Sequence, residues 1–209
     1  MSWLGLRHKG TEPLYSDEWN KVVDGLDILY AYEASLFSSL DHVVAPASVV
    51  VYLEGDEAVA VDAQTWEEIA RGTNHAAVIQ AAINHLTRGG IVFIRTGLYY
   101  IDETIDLIDH VSIIGEGRDT RLIHRVAGAP CLRLVGTASQ MKYDVLIADL
   151  TIEGISSSGD GIYIEYGVNV WIDRVYVTLC GDGHGIHAVN SGFCSIMLCS
   201  IEENGRNGV

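Results

Sequence analysis

Positive charge is scarce in this chain: 13 lysines and arginines stand against 28 aspartates and glutamates, a formal net charge of −15 over 209 residues. So acidic a surface offers no counter-charge to phosphate backbones or anionic lipid, which argues against nucleic-acid and membrane-surface binding. A strongly polyanionic polymer is disfavoured for the same reason, unless a basic patch or a bound cation neutralises a groove locally. Long apolar runs are missing too. No stretch of about 18 apolar residues is present, so no membrane insertion is expected. The opening segment Met1 to Gly10 lacks the apolar core and small-residue cleavage site of a secretory signal. Cysteine is sparse: Cys131, Cys180, Cys194 and Cys199 show neither CxxC nor CxxH spacing. They read as buried core residues rather than zinc ligands or a redox pair, and neither a metal site nor a cofactor is expected.

What remains is a chain of ordinary globular composition, 48% hydrophobic and 20% charged, long enough for one main domain and an appendage. Ser16 stands at a helix N-cap position, and Asp17 and Glu18 complement the positive helix terminus. Trp19, Val22, Leu26, Leu29, Leu36, Leu40 and Val43 then recur at spacings of three and four until Ala45-Pro46 stops the helix. This apolar stripe suits either a helix docked on its own domain or a parallel oligomerising coiled coil. Residues Ser48 to Leu53 predict a strand, Trp66 to Ala70 a short helix, and Ala76 to Leu86 a firmer one. The second helix has Thr73 or Asn74 as cap and Gly89-Gly90 as stop. Beyond Gly90 short runs of Val, Ile and Tyr alternate with Gly, Asp, Asn and Ser turns, the signature of an all-β region. Three segments follow: 1–46, a helical leader for attachment or oligomerisation; 47–90, a connecting strand and a capping helix; and 91–209, stacked β coils.

The last segment repeats itself. Asp149-Leu150-Thr151-Ile152 matches Arg174-Val175-Tyr176-Val177 after 25 residues and Leu198-Cys199-Ser200-Ile201 after 24 more. Gly161-Ile162, Gly185-Ile186 and Gly208-Val209 recur in step with them. A period in the twenties, with glycine turns and no intervening helix, selects a β-solenoid. Equivalent residues of successive coils should stack at about 4.8 Å. Four inward columns follow: Val145, Val170 and Cys194; Leu150, Val175 and Cys199; Ile152, Val177 and Ile201; and Ile162, Ile186 and Val209. The chain stops at Gly208-Val209 in mid-coil, which predicts a truncated product, an open edge covered by another chain or a locally disordered end.

Several motifs in order then resemble a known family. Ala77-Val78-Ile79-Gln80-Ala81-Ala82-Ile83-Asn84, Gly89-Gly90-Ile91-Val92-Phe93-Ile94 and Gly97-Leu98-Tyr99-Tyr100-Ile101 look like the opening of pectate-lyase-like β-helix domains. Ser112-Ile113-Ile114-Gly115-Glu116-Gly117, followed by Thr120-Arg121-Leu122-Ile123, looks like the next coil. The resemblance spans roughly residues 60–209 and implies a mainly β fold, a right-handed parallel β-helix with a short capping helix, behind the N-terminal α-helical segment. The segment Val61-Asp62-Ala63-Gln64-Thr65-Trp66 keeps only part of the family's approach to that helix. The family includes lyases, hydrolases, epimerases and phage tailspikes, so the fold alone does not choose a function.

The densest titratable cluster on neighbouring coils is Asp160, Glu165, Asp182, His184 and His187, with Tyr163 and Tyr166 beside it. Asp160, Asp182, Glu165 and His184 are the candidate catalytic groups, and Tyr163, Tyr166 and His187 the candidate substrate-binding ones. Glycoside hydrolysis requires two carboxyls about 5–5.5 Å or 6.5–9.5 Å apart, and a lyase requires a base. Against that chemistry, Asp160-Gly161 and Asp182-Gly183 are also ordinary turn dipeptides. The expectation is a surface or virion-associated spike or fibre module, trimeric through its leader, that attaches to a glycan or cell-surface polysaccharide. A polysaccharide lyase or glycoside hydrolase is the alternative. Assembly into a particle would bring such a chain outside a cell without a signal peptide.

Overall fold

The computed structural model describes residues 47–209. The expected leader helix and the boundary at residue 46 lie outside the described residues. The chain opens with β1 (Val49–Glu54), β2 (Glu57–Asp62) and β3 (Glu68–Gly72), a three-stranded antiparallel meander. It is followed by the helix α1 (His75–His85). The coils then run through β4 (Gly90–Ile94), β5 (Gly97–Ile101), β6 (Ile105–Asp106), β7 (Val111–Gly115), β8 (Thr120–His124) and β9 (Leu132–Val135). They continue through β10 (Lys142–Ala148), β11 (Thr151–Glu153), β12 (Ile162–Glu165), β13 (Gly167–Asp173) and β14 (Tyr176–Thr178), and end with β15 (Ile186–Val189), β16 (Ser195–Met197) and β17 (Ser200–Glu202).

Every third strand pairs in parallel with its counterpart one coil on, giving sheets of eight, five and four strands that share one interior. The eight-stranded sheet, in the order β16-β13-β10-β7-β4-β1-β2-β3, includes the meander; β5, β8, β11, β14 and β17 form the second sheet, and β6, β9, β12 and β15 the third. The expected parallel β-solenoid is therefore present. Corners repeat as faithfully as strands. Asp149, Arg174 and Leu198 occupy one corner in consecutive coils, all left-handed at φ 54, 52 and 52. Arg174 reaches back to grip Asp149 with a fork, Nε to Oδ1 at 2.7 Å and Nη2 to Oδ2 at 2.6 Å.

The interior is built from columns. Val92, Ile113, Ile147 and Ile172 stack through one sheet, Tyr99, Leu122, Ile152 and Val177 through the second, and Ile105, Leu132, Ile162 and Ile186 through the third. All are buried. Each such aliphatic side chain contributes about 1.5–3 kcal/mol relative to exposure, which makes these columns the main support of the fold. The final coil departs from expectation. Ile196 and Val209 are 38% and 65% exposed, Cys194 is exposed and Cys199 half-buried. Only Cys131 and Cys180 are core thiols.

The expected helix over Trp66 to Ala70 is instead a turn and a strand. Asp62 Oδ1 accepts from the Gln64 and Thr65 amides at 2.8 and 2.9 Å, Trp66 takes a left-handed conformation (φ 59), and β3 then pairs with β2. A side-chain-capped turn beside a waiting strand edge overrides weak helical propensity.

Helix α1 begins where the sequence placed it. Asn74 is its cap, accepting from the Ala77 amide at 3.1 Å. The helix also closes the open ends of two sheets. His75 Nδ1 accepts the Tyr100 amide of β5 at 3.0 Å, while its Nε2 donates to the Asp56 carbonyl at 3.0 Å. Gln80 meets both backbone groups of Asp106 in β6, Oε1 accepting from N–H at 2.7 Å and Nε2 donating to C=O at 3.0 Å. Two side chains thus make the bonds that a preceding coil would make, which protects edges that would otherwise pair with another chain.

Candidate functional site

The outer face of the β6-β9-β12-β15 sheet carries a register column of polar and aromatic residues: Asp106, Arg133, Tyr163 and His187, one per coil. They project outward because Ile105, Leu132, Ile162 and Ile186 beside them take the inward positions and side chains alternate along a strand. Arg133 clamps Asp106 in a fork, Nε to Oδ1 at 2.6 Å and Nη2 to Oδ2 at 2.9 Å. Tyr163 meets His187 edge to face, with ring centroids 5.3 Å apart and planes at 78°. Its hydroxyl donates to Glu165 Oε2 at 3.0 Å. Partial desolvation first, and the Glu165 carboxylate second, push the Tyr163 phenol above its ordinary range.

Asp160 lies at the entrance to β12, and both its oxygens are engaged by the next coil. Oδ1 accepts the His184 amide at 2.7 Å and Oδ2 lies 3.0 Å from His187 Nδ1. The His184 and His187 rings pack with centroids 4.5 Å apart. The structure therefore brings Asp160, Tyr163, Glu165, His184 and His187 together. Asp182 is separate, an exposed residue on the turn before His184. Tyr166 is separate too: it occupies the corner into β13 in the left-handed region (φ 54), matched by Asn190 (φ 51) one coil later.

Asp182-Gly183 lies on a turn, with the Gly183 amide donating to the Cys180 carbonyl at 3.2 Å, and close packing adds a further demand for glycine at both Asp-Gly pairs. Neither Gly161 nor Gly183 takes a positive φ. They are small because coils touch there: a Cβ on Gly183 would overlap the backbone of Gly159 and Asp160, and one on Gly161 would lie 2.5 Å from Val177 Cγ1 and 2.6 Å from the Gly185 carbonyl oxygen.

Sequence reasoning missed Asp106 and Arg133. Tyr163 follows Arg133 by 30 residues and Arg133 follows Asp106 by 27, so loops of other lengths hide the period that links Tyr163 to His187. A second concavity, a cleft of ≈ 540 Å³, opens beside α1 between Leu53, His75, Leu98, Tyr100 and Arg125. The Arg125 guanidinium covers the Tyr100 ring at 4.6 Å and pairs with Asp102 at 2.6 Å. That aromatic face is already occupied from within the chain.

No protein-family model matches the sequence, and no curated protein does. Solved structures do match. ORF18 of Geobacillus virus E2 superposes with a TM-score of 0.51 at 15% identity, over 69% of this chain and 43% of that one. The A-modules of the Azotobacter vinelandii mannuronan C-5 epimerases AlgE6 and AlgE4 superpose with TM-scores of 0.50 and 0.50 at 22% and 24% identity. Each match covers 62% of this chain, and 40% and 41% of the respective modules. The fold is a parallel β-helix. This β-helix spans about two fifths of the length of each structure it matches. At such identities the likeness is one of fold, and the chemistry rests on the residues of the face itself. Among the described residues of the β-helix, no helix is long and apolar enough to cross a membrane.

Proposed function

We propose that this chain is the β-helix module of a surface or virion-associated spike or fibre, and that it attaches to a glycan along the outer face of the β9-β12-β15 sheet. The observation that carries the proposal is the register column Arg133–Tyr163–His187. It presents one hydrogen-bonding or aromatic group per coil, repeating at about 4.8 Å along a straight track. An extended polysaccharide suits that track: aromatic rings stack on sugar faces, and the flanking polar groups bond to hydroxyls. The Arg133 charge is already balanced by Asp106 and the chain is strongly acidic, so the favoured ligand is neutral or weakly charged rather than a dense polyuronate. A homotrimer assembled through the leader belongs to the same proposal, as does exposure on a particle or extracellular surface. A phage protein and two polysaccharide-epimerase modules sharing the fold support a glycan-related role.

A polysaccharide lyase or glycoside hydrolase is the second reading, favoured by the Asp160–His187 contact as a proton-transferring pair. Against it, the carboxylates are already engaged: Asp160 accepts the His184 amide through Oδ1 and contacts His187 through Oδ2, and Glu165 accepts from the Tyr163 hydroxyl. Incubating the purified chain with a panel of neutral and uronate polysaccharides separates the readings. Retention of a polysaccharide without new reducing or unsaturated ends is the expected result. Release of such ends would replace attachment with catalysis, and failure to retain any member would contradict both.

A further inference from the structure

The sequence offered no metal motif, yet coil stacking builds a ligand set that linear spacing cannot show. His184 and His187 are three residues apart at the entrance to β15, and Asp160 lies opposite His184 one coil earlier. One ligand atom from each of the three lies within 4.8 Å of those from the other two, and all three residues are half-buried. Two other histidine–aspartate contacts, His85 with Asp62 at 3.7 Å and His110 with Asp144 at 3.3 Å, supply only two such groups each.

We propose that Asp160, His184 and His187 bind a divalent transition cation of the zinc class. Two neutral imidazoles and one carboxylate are the donor set that zinc and its neighbours favour over calcium or magnesium, which take mainly oxygen. Bonds of 2.0–2.2 Å from nitrogen and oxygen to a tetrahedral ion set ligand atoms about 3.3 Å apart. The Asp160 Oδ2 to His187 Nδ1 distance of 3.0 Å already approximates one edge of that polyhedron. The neighbouring His184 ring, 4.5 Å from that of His187, can complete a second edge by side-chain rotation. The Asp160 carboxylate is also held from behind, because Oδ1 takes the His184 amide while Oδ2 stays on the side of the rings. Such outer bonds orient ligands before an ion arrives. Three protein ligands leave a coordination position for water or an exchangeable ligand, whereas structural zinc sites close with four protein ligands. The inference does not depend on glycan binding.

The test is calorimetric titration of the chelator-treated full chain with Zn²⁺, paralleled by Co²⁺ absorption spectroscopy. One equivalent should bind, with a visible cobalt band in which imidazole ligation is recognisable. His184→Ala, His187→Ala and Asp160→Asn should each weaken binding at least tenfold, while His110→Ala leaves it unchanged. Far-UV circular dichroism shows which variants keep the fold. If Asp160→Asn does not, the two histidine variants decide. An absent binding event, or affinity unchanged in folded His184→Ala and His187→Ala, would overturn the proposal.

Discussion

Asp160 Oδ2 lies 3.0 Å from His187 Nδ1 across two stacked coils, and the backbone contact beneath them sets that distance. Gly183 sits directly on Gly159 and Asp160, where any Cβ would overlap the backbone. Gly183→Ala must therefore push the coils apart. It should destabilise the protein by more than about 2 kcal/mol, as overpacking in a rigid interior does. A urea unfolding series checks this, and an unchanged midpoint would show that the coils are not in contact there.

The caps supplied by α1 should matter far beyond their size. Gln80→Ala removes both bonds to Asp106 and leaves the β6 edge without them. A loss of about 1–3 kcal/mol is expected, in line with two hydrogen bonds to backbone groups. Chemical unfolding measures the loss, and hydrogen exchange should show the Asp106 amide becoming less protected than in the parent.

The end of β8 contains a buried base. His124 is fully buried, with Nδ1 taking the Val126 amide at 3.4 Å and Nε2 unpartnered among the described residues. Desolvation pushes its pKa down to about 4, although the Gly159 and Ala129 backbone and the Asp160 charge pull the other way. Above about pH 6.5 both folded and unfolded chains carry neutral His124. Between there and about pH 4 only the unfolded chain takes the proton, so stability falls as the pH drops; below about 4 the loss levels off. The full effect is about 3 kcal/mol. His124→Leu should flatten this part of the stability profile, and an unaltered profile would remove His124 as its cause.

Thiol reactivity should follow the coils. Burial pushes the Cys180 thiol up to about 12 and Cys131 further still. Both are buried, whereas Cys194 is exposed and Cys199 partly so. An aromatic disulfide reagent should label Cys194 first and Cys199 more slowly, and reach Cys131 and Cys180 only after unfolding. Peptide mapping of the native reaction checks the order.

Much of this architecture was legible in the residues. The Ile152–Val177 and Ile162–Ile186 columns follow directly from a 24–25-residue repeat, because a solenoid turns sequence period into spatial contact. The outward pair Tyr163 and His187, one residue on from Ile162 and Ile186, shares that 24-residue spacing. The remainder was hidden for physical reasons. Arg133 and Asp106 precede loops of other lengths, so their register shows only in the folded coils. Gln80 looked like one more position in a helical motif, and its role depends on the β6 edge 26 residues away. Trp66 to Ala70 was misplaced because the Asp62 carboxylate holds a turn there. Cys194 and Val209 fit their columns in sequence, but exposure depends on what lies over the final coil.

The face that carries Arg133, Tyr163 and His187 is the centre of the proposed attachment. The decisive measurement is the affinity of the full chain for the retained polysaccharide, compared between Tyr163→Ala and Trp171→Ala, the latter on the outer face of a different sheet. Tyr163→Ala should weaken binding about tenfold, the worth of one aromatic stacking contact of roughly 1.4 kcal/mol, and Trp171→Ala should leave it unchanged. Equal affinity in the parent and Tyr163→Ala, or a loss confined to Trp171→Ala, would contradict it.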